Sequence, residues 1–161
     1  MRSIELTTPG VYALVDDDDY DRLSQHNWYL HQGGYAQSRI AGKTIGMHRL
    51  VCQPSPGLDT DHKNRDKLDN RRANLRECTR SQNHANQKKR RGSSSRFKGV
   101  YWNKHARKWQ AEIKANGKYR YLGLFTDEKD AALAYDEAAR EGFGEFARGN
   151  FIQATTEDDR R

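Results

Sequence analysis

Hydrophobic positions come in short runs whose spacing changes along the chain. VYALVD (11–16) alternates as a strand does, and DDDYDRLSQHNW (17–28) reads as a short helix or turn with its acids at the N-terminal end, where the macrodipole favours them. WYLHQGGYAQSRI (28–40) and KTIGMHRLV (43–51) read as short strands, with Gly33-Gly34 turning a hairpin. From 59 to 86 hydrophobes become scarce. TRSQNHANQKKRR (79–91) then has helix-compatible residues, Thr79 as N-cap and Gly92 as a stop. Beyond it the pattern is cleaner: FKGVYWN, KWQAEIKA and KYRYLGLF are rich in aromatic and β-branched residues, and Asn116-Gly117 marks a hairpin between the last two. DEKDAALAYDEAAREGFG switches to helical period, with Ala131, Leu133, Ala134, Tyr135, Ala138 and Ala139 available to pack. The predicted class is α+β, ending in a three-stranded antiparallel sheet with one helix laid across it.

Composition narrows the class of partner. Only 34% of the 161 residues are hydrophobic and 32% are charged, and the mean hydropathy is −1.14, so any core is modest. The net charge of +7 and a pI near 9.5 point to an acidic partner, nucleic acid first. A membrane surface fits less well, because the basic residues do not alternate with a strong apolar helix face. No apolar run approaches the ~20 residues of a membrane span, and MRSIELTTPGVYALV lacks a secretory pattern. Cys52 and Cys78 form neither a CxxC pair nor a disulfide framework, and a zinc site would need paired ligands they do not supply. A cytoplasmic protein with reduced thiols is expected.

Charge is unevenly distributed. The first 30 residues lean acidic, through Glu5, Asp16, Asp17, Asp18, Asp19 and Asp21, whereas 88–120 is strongly basic. Gly92-Ser93-Ser94-Ser95 reads as a flexible linker, which divides the chain into 1–91 and 96–152 with a tail at 153–161. Lys88, Lys89, Arg90 and Arg91 either track phosphate or form a solvated run at a helix C-terminus, where the macrodipole also favours them.

The polar stretch holds the residues for phosphodiester hydrolysis. That reaction needs an activated water, a cation on the phosphate and stabilisation of the leaving 3′-oxygen. A histidine near its ordinary pKa can take the proton of water. Mg²⁺ keeps several waters and needs little more than one carboxylate and one amide oxygen from the protein. Asp61, His62 and Asn83 supply that set, although neighbours on an extended segment point to opposite sides and need a local bend to share a site. Asn64, Asp66 and Asn70 read as turn residues.

The longer pattern is informative. MHRLV followed by DHKNRDKLDNRRANLRECTRSQNHAN resembles the HNH homing endonucleases of phages over residues 47–86, in the order hydrophobic-His-Arg, Asp-His, KLDNR, Asn-Leu-Arg and Asn-x-x-Asn. The resemblance implies a ββα-metal nuclease core (about 47–90) with His62 as general base and Asp61 and Asn83 on one divalent cation, Mg²⁺ with Mn²⁺ as substitute. Asn74 would be the middle residue of the motif, fixing the loop. It also implies 5′-phosphate and 3′-hydroxyl products. His48 either contacts phosphate or supports the hairpin, and Asn86, one helical turn beyond Asn83, supports at most.

Alternation in the last three strands assigns Trp109, Ile113, Leu122 and Leu124 to the helix-facing side. SRFKGVYWNKHARKWQAEIKANGKYRYLGLFTDEKDAALAYDEAAREGFGEFARGNF resembles the ethylene-response-factor (Apetala-type) DNA-binding domain over 95–151. The implied groove-facing positions are Lys98, Tyr101, Asn103, Lys114 and Tyr121, with Arg120 beside them. Several family arginines are Tyr or Asn here, so a different base readout is expected. Together the two halves predict a DNA endonuclease acting on double-stranded DNA as a monomer or weak dimer, with no membrane or small-molecule substrate, in a bacterial or phage-infected cell. The alternative is a DNA-binding regulator without catalysis.

Overall fold

The first half of the chain builds three small antiparallel sheets. The computed structural model describes residues 1–89, 92–115 and 117–151; Arg90, Arg91, Asn116 of the expected turn and the expected tail lie outside them. The chain divides into two compact units, Met1–Asn83 and His84–Arg161, a boundary eight residues before the expected linker at Gly92. In the first unit β1 (Arg2–Glu5) and β2 (Tyr12–Val15) form a hairpin, followed by α1 (Asp17–Leu23). A sheet of order β3-β4-β5 follows, made of Tyr29–Leu30, Ala36–Ile40 and Lys43–Gly46. Then come α2 (Met47–Cys52) and the strand pair β6 (Asp59–His62) with β7 (Leu75–Cys78). The core gathers Ile4, Leu6, Ala13, Val15, Leu23, Trp28, Met47, Val51 and Leu75; Trp28 is 1% exposed, and its indole N–H donates to the Leu23 carbonyl at 2.7 Å.

One expected strand is a helix. MHRLV forms α2 because Met47 and Val51, one helical turn apart, are both buried in that core. Gly46 enters it in an extended conformation, and Gln53, left-handed at φ 50°, closes it with its N–H on the Arg49 carbonyl. Glycine is required at 46 by close approach, since a Cβ there would lie 2.6 Å from His48 Cε1.

α3 (Arg80–Asn86) begins in a capping box: Gln82 N–H donates to Thr79 Oγ1 at 3.2 Å, and Gln82 Oε1 accepts Thr79 N–H at 2.8 Å. It ends at Asn86, well before the expected stop at Gly92. The serines read as a flexible linker are tied into the second unit. Ser94 Oγ accepts Trp102 N–H at 2.8 Å, Ser95 Oγ accepts Phe97 N–H at 2.8 Å, and Ser95 is buried.

In the second unit β8 (Val100–Asn103), β9 (Lys108–Ala115) and β10 (Lys118–Phe125) form an antiparallel sheet of order β10-β9-β8. It is covered by α4 (Glu128–Phe143), whose N-cap Asp127 accepts Lys129 N–H at 2.6 Å. Ala131, Ala132, Ala138 and Ala139 are buried with Val100, Ala111 and Ile113, a small-residue stripe that brings helix close to sheet. Leu133, expected on that stripe, is instead 55% exposed. The register slips between Tyr121 and Gly123, a bulge at Leu122 that moves Leu124 opposite Gln110, onto the face away from α4, and puts Phe125 opposite Trp109. Leu124 therefore departs from the expected side. Gly99 has φ +75°, and a Cβ there would lie 1.9 Å from Tyr135 Cδ2. The Asp136 carboxylate accepts the backbone N–H groups of Asn150 and Phe151 at 2.7 and 3.0 Å, while Asn150 Oδ1 accepts Lys98 N–H at 2.6 Å. Those bonds account for much of the closing RGNF sequence. Among the described residues no helix is long and apolar enough to cross a membrane.

Candidate active site

β6 and β7 pair from Asp59 opposite Cys78 to His62 opposite Leu75, which sets Asp61 opposite Arg76. Residues 63–74 join them with almost no hydrophobic help, so side chains hold the loop. Asn64 Oδ1 accepts Asp66 N–H at 2.8 Å, and Asp66 Oδ1 accepts Leu68 N–H at 3.0 Å, two successive Asx turns as expected. Asn74, buried, closes the loop: its Oδ1 accepts Asn64 N–H at 3.0 Å and its Nδ2 donates to the Asp69 carbonyl at 2.8 Å.

The loop is also fastened to the acidic helix. Arg72 donates from Nε and Nη2 to the buried Asp19 at 2.7 Å each, Arg22 reaches the same carboxylate at 2.8 Å, and Asp16 accepts Arg72 N–H at 2.7 Å. Burial pushes the Asp19 carboxyl up, but its bonds to Arg72 and Arg22 outweigh that and leave it below its usual value. Asp69, also buried, is held low by the Arg71 guanidinium at 2.6 and 2.7 Å. Leu14 and Asn70 exchange backbone bonds with the loop, Leu14 N–H to the Leu68 carbonyl and Asn70 N–H to that of Leu14, both 2.8 Å. The acidic run thus anchors the polar loop as well as favouring the N-terminus of α1.

His62 is 4% exposed. Its ring centroid lies 5.2 Å from His48 and 5.9 Å from Tyr35, and those two lie 5.0 Å apart. Burial pulls the His62 imidazole below its ordinary value of 6.5, opposed by the Asn70 side chain and by Asp61, Asp66 and Asp69. Burial, with His62 and Arg49, lowers His48 to about 3. Both imidazoles are therefore neutral near pH 7, and a neutral imidazole can accept the proton of a water. Burial and the charges of Asp61 and Asp59 raise Tyr35, so its phenol keeps its proton.

Asp61 is equally buried, and its Oδ2 accepts Arg76 Nε at 3.0 Å and Nη2 at 2.9 Å. Asn83 stands fourth in α3, its N–H bonded to the Thr79 carbonyl. Asp61 and Asn83 offer oxygen only, a carboxylate and an amide, and no group of three His, Cys, Asp or Glu that could hold a metal gathers among the described residues. This donor chemistry fits a hard divalent cation that retains water and does not fit a zinc cage. Cys52 and Cys78 are free thiols, and burial raises Cys78 to about 11. His84 is exposed and Asn86 buried, both belonging to the second unit.

Four residues at this site were given no site role by sequence. Arg76 follows Asn-Leu, and only the strand register brings it opposite Asp61. Asp69 carries the loop's ion pair, Asn70 flanks the histidine where a turn residue was expected, and Tyr35 follows the Gly-Gly turn with no local mark of its role.

In the second unit the groove-facing set divides. Tyr101, Asn103, Lys114 and Tyr121 lie on the sheet face away from α4, as the register with Gln110 and Glu112 requires. Lys98 does not join them. Its ammonium donates to the carbonyls of Ala85 at 2.5 Å, Gln87 at 3.2 Å and His84 at 3.3 Å, closing the end of α3. Burial and Arg148 lower it to about 8. Arg120 pairs with Ile113 in register and donates to Glu141 of α4 at 2.9 Å, so it sits on the helix side. Both were expected to face DNA from the resemblance to the ethylene-response-factor family, yet each has a partner distant in sequence. Lys88 is exposed and Lys89 half-buried.

A strand pair and a side-chain-stapled loop that carry a buried neutral histidine make a site suited to hydrolysis. The profile of a family described as HNH endonuclease matches residues 46–85. An uncharacterized HNH endonuclease of Acanthamoeba polyphaga mimivirus is 33% identical over 150 residues, 89% of this chain and 76% of the viral protein. The chain belongs to the HNH endonuclease family, and it is an endonuclease. Part of the chain is also similar to plant proteins: dehydration-responsive element-binding protein 2A of Oryza sativa subsp. indica is 46% identical over 52 residues, 31% of this chain. The AP2-like ethylene-responsive transcription factor TOE2 of Arabidopsis thaliana is 38% identical over 69 residues, 43% of this chain. The chain spans only 19% and 14% of those two proteins.

Proposed function

We propose that this endonuclease hydrolyses phosphodiester bonds of double-stranded DNA, with His62 as general base and Asp61 and Asn83 as ligands of one Mg²⁺, for which Mn²⁺ can substitute. The observation that carries the reading is the buried imidazole of His62, lowered below 6.5 and adjacent in sequence to Asp61. His62 takes a proton from water as the water oxygen bonds to phosphorus; the bond from phosphorus to the 3′-oxygen breaks, and that oxygen is protonated by solvent. The products are a 5′-phosphate and a 3′-hydroxyl. The cation supplies positive charge to the phosphate and the leaving oxygen. Asn74 holds the loop that flanks the base, and Arg76 holds the Asp61 carboxylate in position. One such site cuts one strand.

The second unit holds the duplex in this reading, through the outward face of its sheet and the basic residues 88–91. Resemblance to plant proteins named as element-binding and transcription factors supports that role, as does the net charge of +7. The test is nicking of supercoiled DNA. The wild type with Mg²⁺ should nick, EDTA should stop it, and His62→Ala should lose about 10²–10⁴-fold in rate with an unchanged circular dichroism spectrum. Nicking that persists in His62→Ala would remove the base assignment.

A further inference from the structure

The outward face of the C-terminal sheet carries a hydrogen-bonded row crossing β8 and β9. Asn103 Nδ2 donates to Gln110 Oε1 at 2.8 Å, Gln110 Nε2 donates to the Tyr101 hydroxyl at 2.5 Å, and that hydroxyl donates to Glu112 Oε2 at 2.8 Å. Asn103 Oδ1 is fixed in turn by Ala106 N–H at 2.9 Å. All four are half-buried, so their bases are packed while they remain reachable. Val100, Ala111 and Ile113, which alternate with them, are buried on the α4 side. Lys108, Lys114, Tyr119 and Tyr121 share the outward face, and the last two are 71% and 59% exposed.

The chemistry of this row differs from that of an arginine-bearing sheet. Guanine offers two acceptors to the major groove and is read by the donor fork of Arg or by Lys. Adenine offers one acceptor and one donor and is read by a carboxamide. No arginine stands in the row, and its centre is Gln110. A carboxamide has two lone pairs and two protons. The row engages one of each on Gln110, at opposite ends of the amide, and leaves one of each for a ligand. The neighbours restrain its rotation before any base arrives, which lowers the ordering cost of contact.

We propose that this row is a base-reading element selecting adenine, with Gln110 contacting the base edge and Tyr101 and Glu112 as positioning residues. Lys108 and Lys114 at its margins contact phosphate, which sets register but carries no sequence information. The proposal rests on the reading that the second unit holds duplex DNA, and it adds which base is read and by which side chain.

The experiment is selection from a random duplex pool by full-length protein carrying His62→Ala, so that bound DNA survives. The bound pool should be enriched in adenine at one fixed position. Gln110→Ala should lower that preference about five- to 150-fold, the span of one bidentate base contact. Gln110→Arg should shift the preference to guanine. Guanine enriched by the parent protein, or an adenine preference that survives both substitutions, overturns the proposal. The Lys108→Ala, Lys114→Ala double variant separates this failure from that of the underlying reading. If its salt slope falls by about two while Gln110 has no effect, only the base assignment is lost. If affinity and slope are unchanged, the sheet is not the DNA surface and the proposal falls with it.

Discussion

The loop of the first unit and the sheet of the second both display many polar side chains, but those side chains have opposite duties. In residues 61–76 they replace a core: Asn74 and Asp69, and Asp19 of α1 beneath Arg72, are buried and bonded to backbone or guanidinium groups that would otherwise be stranded. On the sheet, apolar packing under α4 sets the backbone, and the polar row of Asn103, Gln110, Tyr101 and Glu112 lies on top of a structure that does not need it. A hydrolytic site has to hold its groups in place against water and substrate. A reading surface has to remain accessible. If the contrast is right, the second unit is broken by a steric change and the first by removing a single hydrogen-bonding group.

The largest effect should come from Gly99→Ala. The added methyl would overlap the buried Tyr135 ring at 1.9 Å, and φ +75° is itself strained for a residue with a Cβ. A loss of about 4 kcal/mol or more is expected, in the range reserved for gross packing or backbone conflicts, read as a drop in denaturant midpoint. Relief by a second change, Tyr135→Ala, would assign the loss to overlap, whereas no relief would assign it to the backbone angle. A Gly99→Ala protein as stable as the parent would show that packing does not set this backbone.

Asn74→Ala should cost less, about 2–3 kcal/mol, because it leaves Asn64 N–H and the Asp69 carbonyl without partners in a buried place. Its effect on nicking should exceed its effect on stability, since the loop it closes flanks His62. Asn74→Asp keeps the acceptor for Asn64 N–H and loses the donor to Asp69, so it should fall between the two. By contrast, Asn103→Ala on the sheet face should cost well under 1 kcal/mol, as for other changes at accessible positions. Equal costs for Asn74→Ala and Asn103→Ala would erase the distinction between the two regions.

What the sequence revealed follows the range of the forces involved. The Thr79 cap, the Gly33-Gly34 turn, the three aromatic-rich strands and the alanine stripe are local signals, and each stands where expected. MHRLV was too short to separate a helix from a strand until Met47 and Val51 had a core to enter. Leu124 changed sides because alternation assumes an unbroken strand and the bulge at Leu122 breaks it. Lys98 and Arg120 were placed by family resemblance, yet their partners, the carbonyls closing α3 and Glu141, are 11 or more residues away. At the site, Asp61 and His62 were legible as chemistry, but the burial of His62 and its contacts with His48 and Tyr35 were not. Burial depends on which loops fold over a strand, and no local spacing encodes it.

Acid stability distinguishes the histidine pair from the carboxylates. His48 has a folded value of about 3 against 6.5, so between those limits the unfolded chain binds the extra proton. Stability therefore rises with pH through that window, is fully present above 6.5 and is lost as pH falls. His62 is shifted in the same direction. Asp19 and Asp69, lowered from 3.8, contribute stability above that value and lose it only as pH falls through their depressed values. Denaturant midpoints of the wild type should begin to fall near pH 6.5 and fall again below about 3.8. His48→Phe, which keeps the ring and removes the titrating nitrogens, should flatten the first decline by about 1.4 kcal/mol for each pH unit below 6.5 and leave the second. A first decline that stays the same would place the acid sensitivity outside the histidine pair, and the closeness of the two rings would then not be what burial of His62 costs.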